Sequence, residues 1–275
     1  MKPAVAHRYS LAFLTTFDLG PADAIRVAAE TGYDLVGLRL LPAAPGEPDY
    51  PILTDDRVLA EARAALAETG VAVADIEIVR LKPGTDVAGF APFFERGRRL
   101  GARNVLVAGD DPEEARLTES FARLARLAAG FGLTVDLEFM PWTKVPDLAT
   151  ARRVVETAGE RNGGVLIDAL HLDRSATTLA EIRALPPERI NYVQFCDGPS
   201  DYDPSDVGLI EVARRARLMP GDGGIDLRGL ARAIPGDAVI SIEIPNHALA
   251  GWMGPKQRAA LALRATRAVV EGVTA

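Results

Sequence analysis

The sequence predicts a single α/β domain folded as a (β/α)8 barrel. Three observations predict it. Short β-branched or apolar runs alternate with longer Ala/Leu/Arg stretches of helical period along the chain, eight such pairs can be counted, and several helical stretches close on a glycine. Eight βα units with right-handed crossovers suit a closed parallel barrel, and a doubly wound open sheet is the alternative. A barrel of this kind occupies roughly 250 residues, so the 275 residues read as one domain, 1–275, with no linker.

The first strand is expected over Tyr9–Leu14, followed by a helix over Ala22–Thr31 that stops at Gly32. The second strand, Asp34–Leu40, leads into a long Pro-rich connection from Leu41 to Thr54. A helix over Asp56–Thr69 then ends at Gly70, and a third strand covers Val71–Val79. The helix Gly89–Leu100 ends at Gly101 before the strand Asn104–Ala108. The phrases "ETGYDLVGL", "ETGVAVADIEI" and "RLGARNVLV" repeat one pattern, helix end, glycine and apolar strand. Further along come the helix Glu113–Gly130, the strand Thr134–Phe139, the helix Pro146–Ala158, the strand Val165–Ala169 and the helix Leu179–Ala184. The seventh strand, Tyr192–Phe195, precedes a second long connection, Asp197–Asp206, and a helix over Val207–Arg217. Strand Val239–Ile244 and helix Pro255–Glu271 complete the series. Both long connections follow strands and so fall on the face where barrel active sites are built, which makes them candidate lids.

Composition narrows the function classes. Apolar residues make up 48% and charged residues 25%, the balance of an ordinary globular chain rather than a disordered or fibrous one. Net charge is −7, no like-charge run marks an interaction tail, and a basic footprint is missing, so nucleic acid is not expected as a partner. Cys196, the sole cysteine, excludes an internal disulfide and a cysteine-rich zinc site. No eighteen-residue apolar run crosses a bilayer and no secretory leader is read at the start, so a cytoplasmic protein without a membrane partner is expected. Sequences for a P-loop, a strand-linked G-x-G-x-x-G and a G-x-S-x-G elbow are all absent.

Four successive strands end on a polar side chain flanked by apolar residues: Glu138 in "TVDLEFM", Asp168 in "GVLIDALH", Gln194 in "NYVQFCD" and Glu243 in "VISIEIPN". Three carboxylates converging in a poorly hydrated barrel mouth repel one another unless a cation neutralises them. One divalent metal ion held by Glu138, Asp168, Gln194 and Glu243 supplies that charge. Hard oxygen donors favour magnesium or manganese, with cobalt or zinc as further candidates. His171, three residues after Asp168, is a candidate substrate partner or proton carrier near its ordinary titration range. Arg217 precedes the turn "LMPGDGG" and is a candidate anchor for a hydroxyl, carboxylate or phosphate. Trp142, directly after Glu138 in "EFMPWT", is a candidate pocket wall; His247 is less specific, and His7 falls on the opposite face.

This set resembles the xylose-isomerase-like TIM-barrel superfamily of sugar phosphate isomerases and epimerases, over nearly the whole chain. In that family a Glu, an Asp-x-x-His, a His or Gln, and a Glu on strands five to eight bind one divalent metal. The matching residues are Glu138, Asp168 with His171, Gln194 and Glu243, and the R-x-x-P-G-x-G turn matches Arg217, Pro220, Gly221 and Gly223. Gln194 departs from the histidine usual in ketose epimerases and is similar to bacterial 3-dehydroshikimate dehydratases. The ligand spacing, 30, 26 and 49 residues, is similar too. Three histidines cannot build the multinuclear zinc centre of the family's apurinic endonucleases.

The resemblance implies a metal-dependent sugar (phosphate) isomerase or epimerase, in which a proton leaves carbon α to a metal-bound carbonyl through an enediolate. Glu138 and Glu243 would take and return it from opposite sides. One alternative is a metal-dependent dehydratase of the dehydroshikimate type, with His171 as acid for the leaving hydroxyl. Another is a non-catalytic barrel subunit that binds sugar or metal. A small polyhydroxylated carbonyl compound is the expected partner, and a homo-oligomer is compatible with all three.

Overall fold

The computed structural model describes residues 7–44 and 46–272. Eight parallel strands close into a barrel in sequence order: β1 (Tyr9–Leu11), β2 (Leu35–Arg39), β3 (Ala72–Leu81), β4 (Asn104–Gly109), β5 (Val135–Glu138), β6 (Gly163–Asp168), β7 (Tyr192–Phe195) and β8 (Val239–Ile242). Ser10 beside Ser241 and Leu11 beside Ile242 close the ring between β1 and β8, which excludes the open-sheet alternative. The protein is a (β/α)8 TIM barrel.

Around it run α1 (Pro21–Thr31), α2 (Asp56–Thr69), α3 (Ala91–Leu100), α4 (Glu114–Ala129), α5 (Leu148–Ala158), α6 (Ala169–Arg174), α7 (Leu179–Arg183), α8 (Asp206–Arg215), α9 (Leu227–Ala233), α10 (His247–Ala250) and α11 (Pro255–Glu271). Gly32 and Gly70 end α1 and α2 with φ of 90° and 74°, a conformation only glycine adopts without strain. Among the described residues, no helix is long and apolar enough to cross a membrane.

Apolar side chains form two cores. The larger is the annulus where helix residues such as Ile25, Leu59 and Phe121 pack on the outward faces of the strands. The smaller fills the barrel itself with Ile78, Leu106, Ala108, Leu166 and Tyr192. This separation follows from the two-residue side-chain alternation of a strand.

Several boundaries differ from the sequence expectations. β1 stops at Leu11, because the chain turns into a 3-10 segment at Phe13–Thr16 anchored by Thr15 Oγ1 donating to Ile242 O at 2.7 Å. α6, α9 and α10 are too short to give a readable period, and caps start them: Asp168, Asp226 and Asn246 accept backbone N–H groups of their own first turns. His171 therefore sits in a helix rather than a loop. Of the two long connections, 41–54 reaches the cavity through Ala43. The other, 197–206, packs away from it, with Arg174 lying over the Tyr202 ring and donating to Pro199 O.

One buried carboxyl beneath the mouth makes stability pH-dependent. Asp136 is fully buried and accepts from Asn191 at 2.6 Å and Thr134 at 2.9 Å, yet burial raises its pKa to about 7 despite those bonds. Since the folded value exceeds the unfolded one near 4, its contribution is fully present below about pH 4 and is lost as pH rises toward 7. Asp136→Asn removes the charge and keeps the shape. The variant should gain about 2 to 4 kcal/mol relative to the parent at pH 8, and much less at pH 4.5. Melting curves at the two pH values check this; an equal difference at both would assign the effect to packing.

Candidate metal and substrate site

β5 to β8 deliver Glu138, Asp168, Gln194 and Glu243 to the same end of the barrel. Register fixes part of the set: Asp168 pairs with Gln194 across β6 and β7, and Glu243 N donates to Phe195 O at 3.0 Å just beyond β8. All four are at most 4% exposed. Glu138 and Glu243 line one cavity, open to solvent, together with His171, Trp142 and Arg217.

Asp168 has two jobs. Its Oδ1 caps α6, accepting from Leu170 N at 2.8 Å and His171 N at 3.1 Å, which turns His171 back toward the strand ends. Its Oδ2 accepts from Arg217 Nη1 at 2.5 Å. The same guanidinium reaches Glu243 Oε2 at 3.0 Å, and Gln194 Nε2 donates to Glu243 Oε1 at 3.1 Å. His171 Nε2 lies 3.6 Å from Glu138 Oε1, and the Trp142 ring packs edge-on against the imidazole at 5.0 Å. The sequence-expected residues thus form one constellation in two halves, Glu138 with His171 and Glu243 with Gln194, joined through Asp168 and Arg217.

Arg217 is 2% exposed, and its Nε also donates to Ala213 O at 2.9 Å. Asp197 fixes the turn that follows: one carboxylate accepts the N–H groups of Gly198, Gly221, Gly223 and Ile225 at 2.9 to 3.1 Å.

The electrostatics follow from burial. Burial, with Asp168 and Glu243 nearby, raises the Glu138 pKa well above the usual carboxylate range. Burial pushes Glu243 up to about 7 against the pull of Arg217. Burial also opposes ionisation of Asp168, but Arg217 and His171 outweigh it and hold that carboxyl below its ordinary value. Burial lowers His171 to about 4, so the imidazole is neutral near pH 7. A proton carrier at its ordinary titration range was the sequence expectation; a neutral hydrogen-bonding ring is what burial leaves.

Glu138, Asp168 and His171 could hold one divalent cation. Single ligand atoms from Glu138, Asp168 and His171 lie within 4.8 Å of one another, and buried Gln194 Oε1 has no hydrogen-bond partner among the described residues. Four carboxyls, Glu77, Glu138, Asp168 and Glu243, are buried in this end of the barrel against the two buried guanidiniums Arg39 and Arg217. Positive charge is in deficit. His171 adds a nitrogen to the all-oxygen set expected from sequence.

Two further residues enter from strands the sequence reading did not use. Arg39 ends β2 and Glu77 lies on β3, and both line the cavity. Each is a charge inside an apolar run, "LVGLRLL" and "ADIEIV", the same signal that marked strands five to eight. Arg80 and Arg214 also face the mouth. His7 lies at the far end, its Nδ1 2.9 Å from Ala238 O, and His247 stacks on Phe17 with ring centres 4.5 Å apart.

Comparisons with known proteins agree with the barrel fold. Residues 25–269 match the family model described as xylose isomerase-like TIM barrel. A 3-dehydroshikimate dehydratase of Pseudomonas aeruginosa is 32% identical over 145 residues, 50% of this chain and 22% of that protein. The enzyme of the same name from Pseudomonas putida is 26% identical over 147 residues and 22% of its length. The matched stretches therefore cover about a fifth of these relatives. Among solved structures, the IOLI protein with a bound zinc atom superposes with a TM-score of 0.81 at 18% identity, covering 97% of this chain and 99% of that one. D-allulose 3-epimerase from Methylomonas sp. gives 0.70 at 17% identity, covering 96% and 98%. Relatives named in this way are mostly enzymes, and with the family model spanning all but the ends of the barrel, the chain belongs to the xylose isomerase-like TIM barrel family.

Proposed function

We propose that the protein is a divalent-metal-dependent enzyme that removes a proton α to a carbonyl in a small polyhydroxylated substrate bearing an anionic group, and that water is then eliminated, as in a 3-dehydroshikimate dehydratase. The observation that carries the choice is the charge of the mouth. Arg214 lines the cavity beside Arg39 and Arg80 and has no ion-pair partner among the described residues. Desolvation and the neighbouring guanidiniums Arg80 and Arg39 lower its pKa against the pull of Glu47 and Asp110. A carboxylate or phosphate on the substrate fits there, whereas a neutral ketose leaves Arg214 unpaired. The sequence match to two dehydratases supports the same choice.

Glu138, Asp168 and Glu243, with His171 or Gln194, would hold the cation, manganese, magnesium, cobalt or zinc. When bound it supplies the charge that makes a carbonyl electron-poor and the adjacent C–H acidic. Glu243, which faces the cavity, takes the proton from carbon. The electron pair of that bond forms the new C=C bond as the β-hydroxyl leaves. The proton taken up by Glu243 passes to the departing hydroxyl and completes a water molecule, while the neutral His171 ring hydrogen-bonds that oxygen and keeps its own proton. Trp142 holds the imidazole in place and covers one side of the site.

A second reading, isomerase or epimerase, is favoured by one observation: Glu138 and Glu243 both face the cavity from different strands, and both have raised pKa values. One could remove the proton and the other return it. Elemental analysis of the purified protein, followed by a solvent-deuterium screen with 3-dehydroshikimate and D-allulose, separates the readings. Loss of water from 3-dehydroshikimate supports the first, and exchange into D-allulose without water loss supports the second. No metal and no exchange would remove both and leave a binding subunit.

Arg214→Gln should raise KM for an anionic substrate roughly 10-fold with kcat little changed, the loss of one charge-assisted contact. An unchanged KM would place the anion elsewhere.

A further inference from the structure

Arg39 and Glu77 form a buried ion pair in which two facing atoms, Arg39 Nε and Glu77 Oε1, are left without an aligned hydrogen bond. Arg39 is 7% and Glu77 2% exposed, and both line the cavity. Arg39 Nε lies 3.4 Å from Glu77 Oε1, yet neither atom has a hydrogen-bond partner among the described residues. The rest of the guanidinium is occupied: it packs 4.7 Å from the centre of the Phe13 ring, and Nη1 lies 3.6 Å from Glu47 Oε2. An unfilled donor and an unfilled acceptor side by side, both desolvated, are costly unless a ligand completes them.

Strand geometry supports the same point. The register between β3 and β4 shifts between Ile76 and Val79, and the successive residues Glu77 and Ile78 both line the cavity. In a regular strand they would point to opposite faces. Irregularities of this kind re-aim side chains next to functional sites. Here the shift brings a carboxylate into the mouth without removing Ile78 from the barrel core.

We infer that Arg39 and Glu77 form a hydroxyl-recognition subsite, in which one substrate alcohol accepts from Arg39 Nε and donates to Glu77 Oε1. An alcohol is the group that does both through a single atom. A ketone only accepts, an ammonium only donates, and a carboxylate is repelled by Glu77. This subsite is distinct from the strand-end ligands and from Arg214, and it deepens the proposed function, since it rests on a polyhydroxylated substrate entering this cavity.

The test is calorimetric titration of metal-loaded protein with shikimate, a non-eliminating probe, and with its monodeoxy analogues. In the parent protein, removing the recognised hydroxyl should weaken binding roughly 10-fold or more. In Glu77→Gln and in Arg39→Gln that penalty should shrink below about threefold, with metal content unchanged. Two variants are used so that a folding failure in one leaves the other to decide. The same penalty in parent and variants, no analogue weaker than shikimate, or no saturable binding to the parent would each overturn the subsite. Turnover is scored separately with 3-dehydroshikimate: hydroxyl discrimination without turnover keeps the subsite and removes the dehydratase reading. Turnover without discrimination does the reverse.

Discussion

Glu243→Gln is expected to lower kcat roughly 10^3-fold, the usual weight of a positioned base, while the protein stays folded. The amide keeps an oxygen within reach of Arg217 Nη2, now 3.0 Å from Glu243 Oε2, but it can neither take a proton nor carry the charge that holds a cation. Metal content should fall with activity. Steady-state rates with the substrate identified by the exchange screen, elemental analysis and far-UV circular dichroism check the three parts. Normal turnover at full metal content would take Glu243 out of the site.

Arg217→Ala should destabilise the protein in chelator by about 3 to 5 kcal/mol, because it leaves two buried carboxylates facing each other without their shared counter-ion. The side chain touches Asp168, Glu243, Cys196 and the Ala213 carbonyl, so this is the removal of a buried hub as well as of a substrate anchor. For a chain of this size the melting temperature should fall roughly 10 °C. Saturating manganese should restore a good part of the loss, since a bound cation replaces the missing charge and stabilises the folded state by mass action. A variant melting within about 2 °C of the parent in chelator would mean that Arg217 is not what neutralises Asp168 and Glu243.

The ends of β5 to β8 were legible because a polar side chain flanked by apolar residues recurs at the end of four successive strands. Glu138, Asp168, Gln194 and Glu243 all carry that signature. Arg39 and Glu77 carry it as well, but strands two and three give no run of neighbouring ligands of the kind that strands five to eight give. The small helices α6, α9 and α10 were not legible, because a cap and four to seven residues define no period.

What the sequence by itself determined is the alternation of strand and helix, the number of strands, and which strand ends carry charge. These depend on local period and on the residues immediately beside each charge. What only the tertiary structure decided is who partners whom: Arg217 between Asp168 and Glu243, and His171 turned onto Glu138. Arg217 is 49 residues from Asp168 and 26 from Glu243 along the chain. Contacts at that separation are set by the closure of β1 onto β8 and by the turn that Asp197 holds, and no local pattern encodes them.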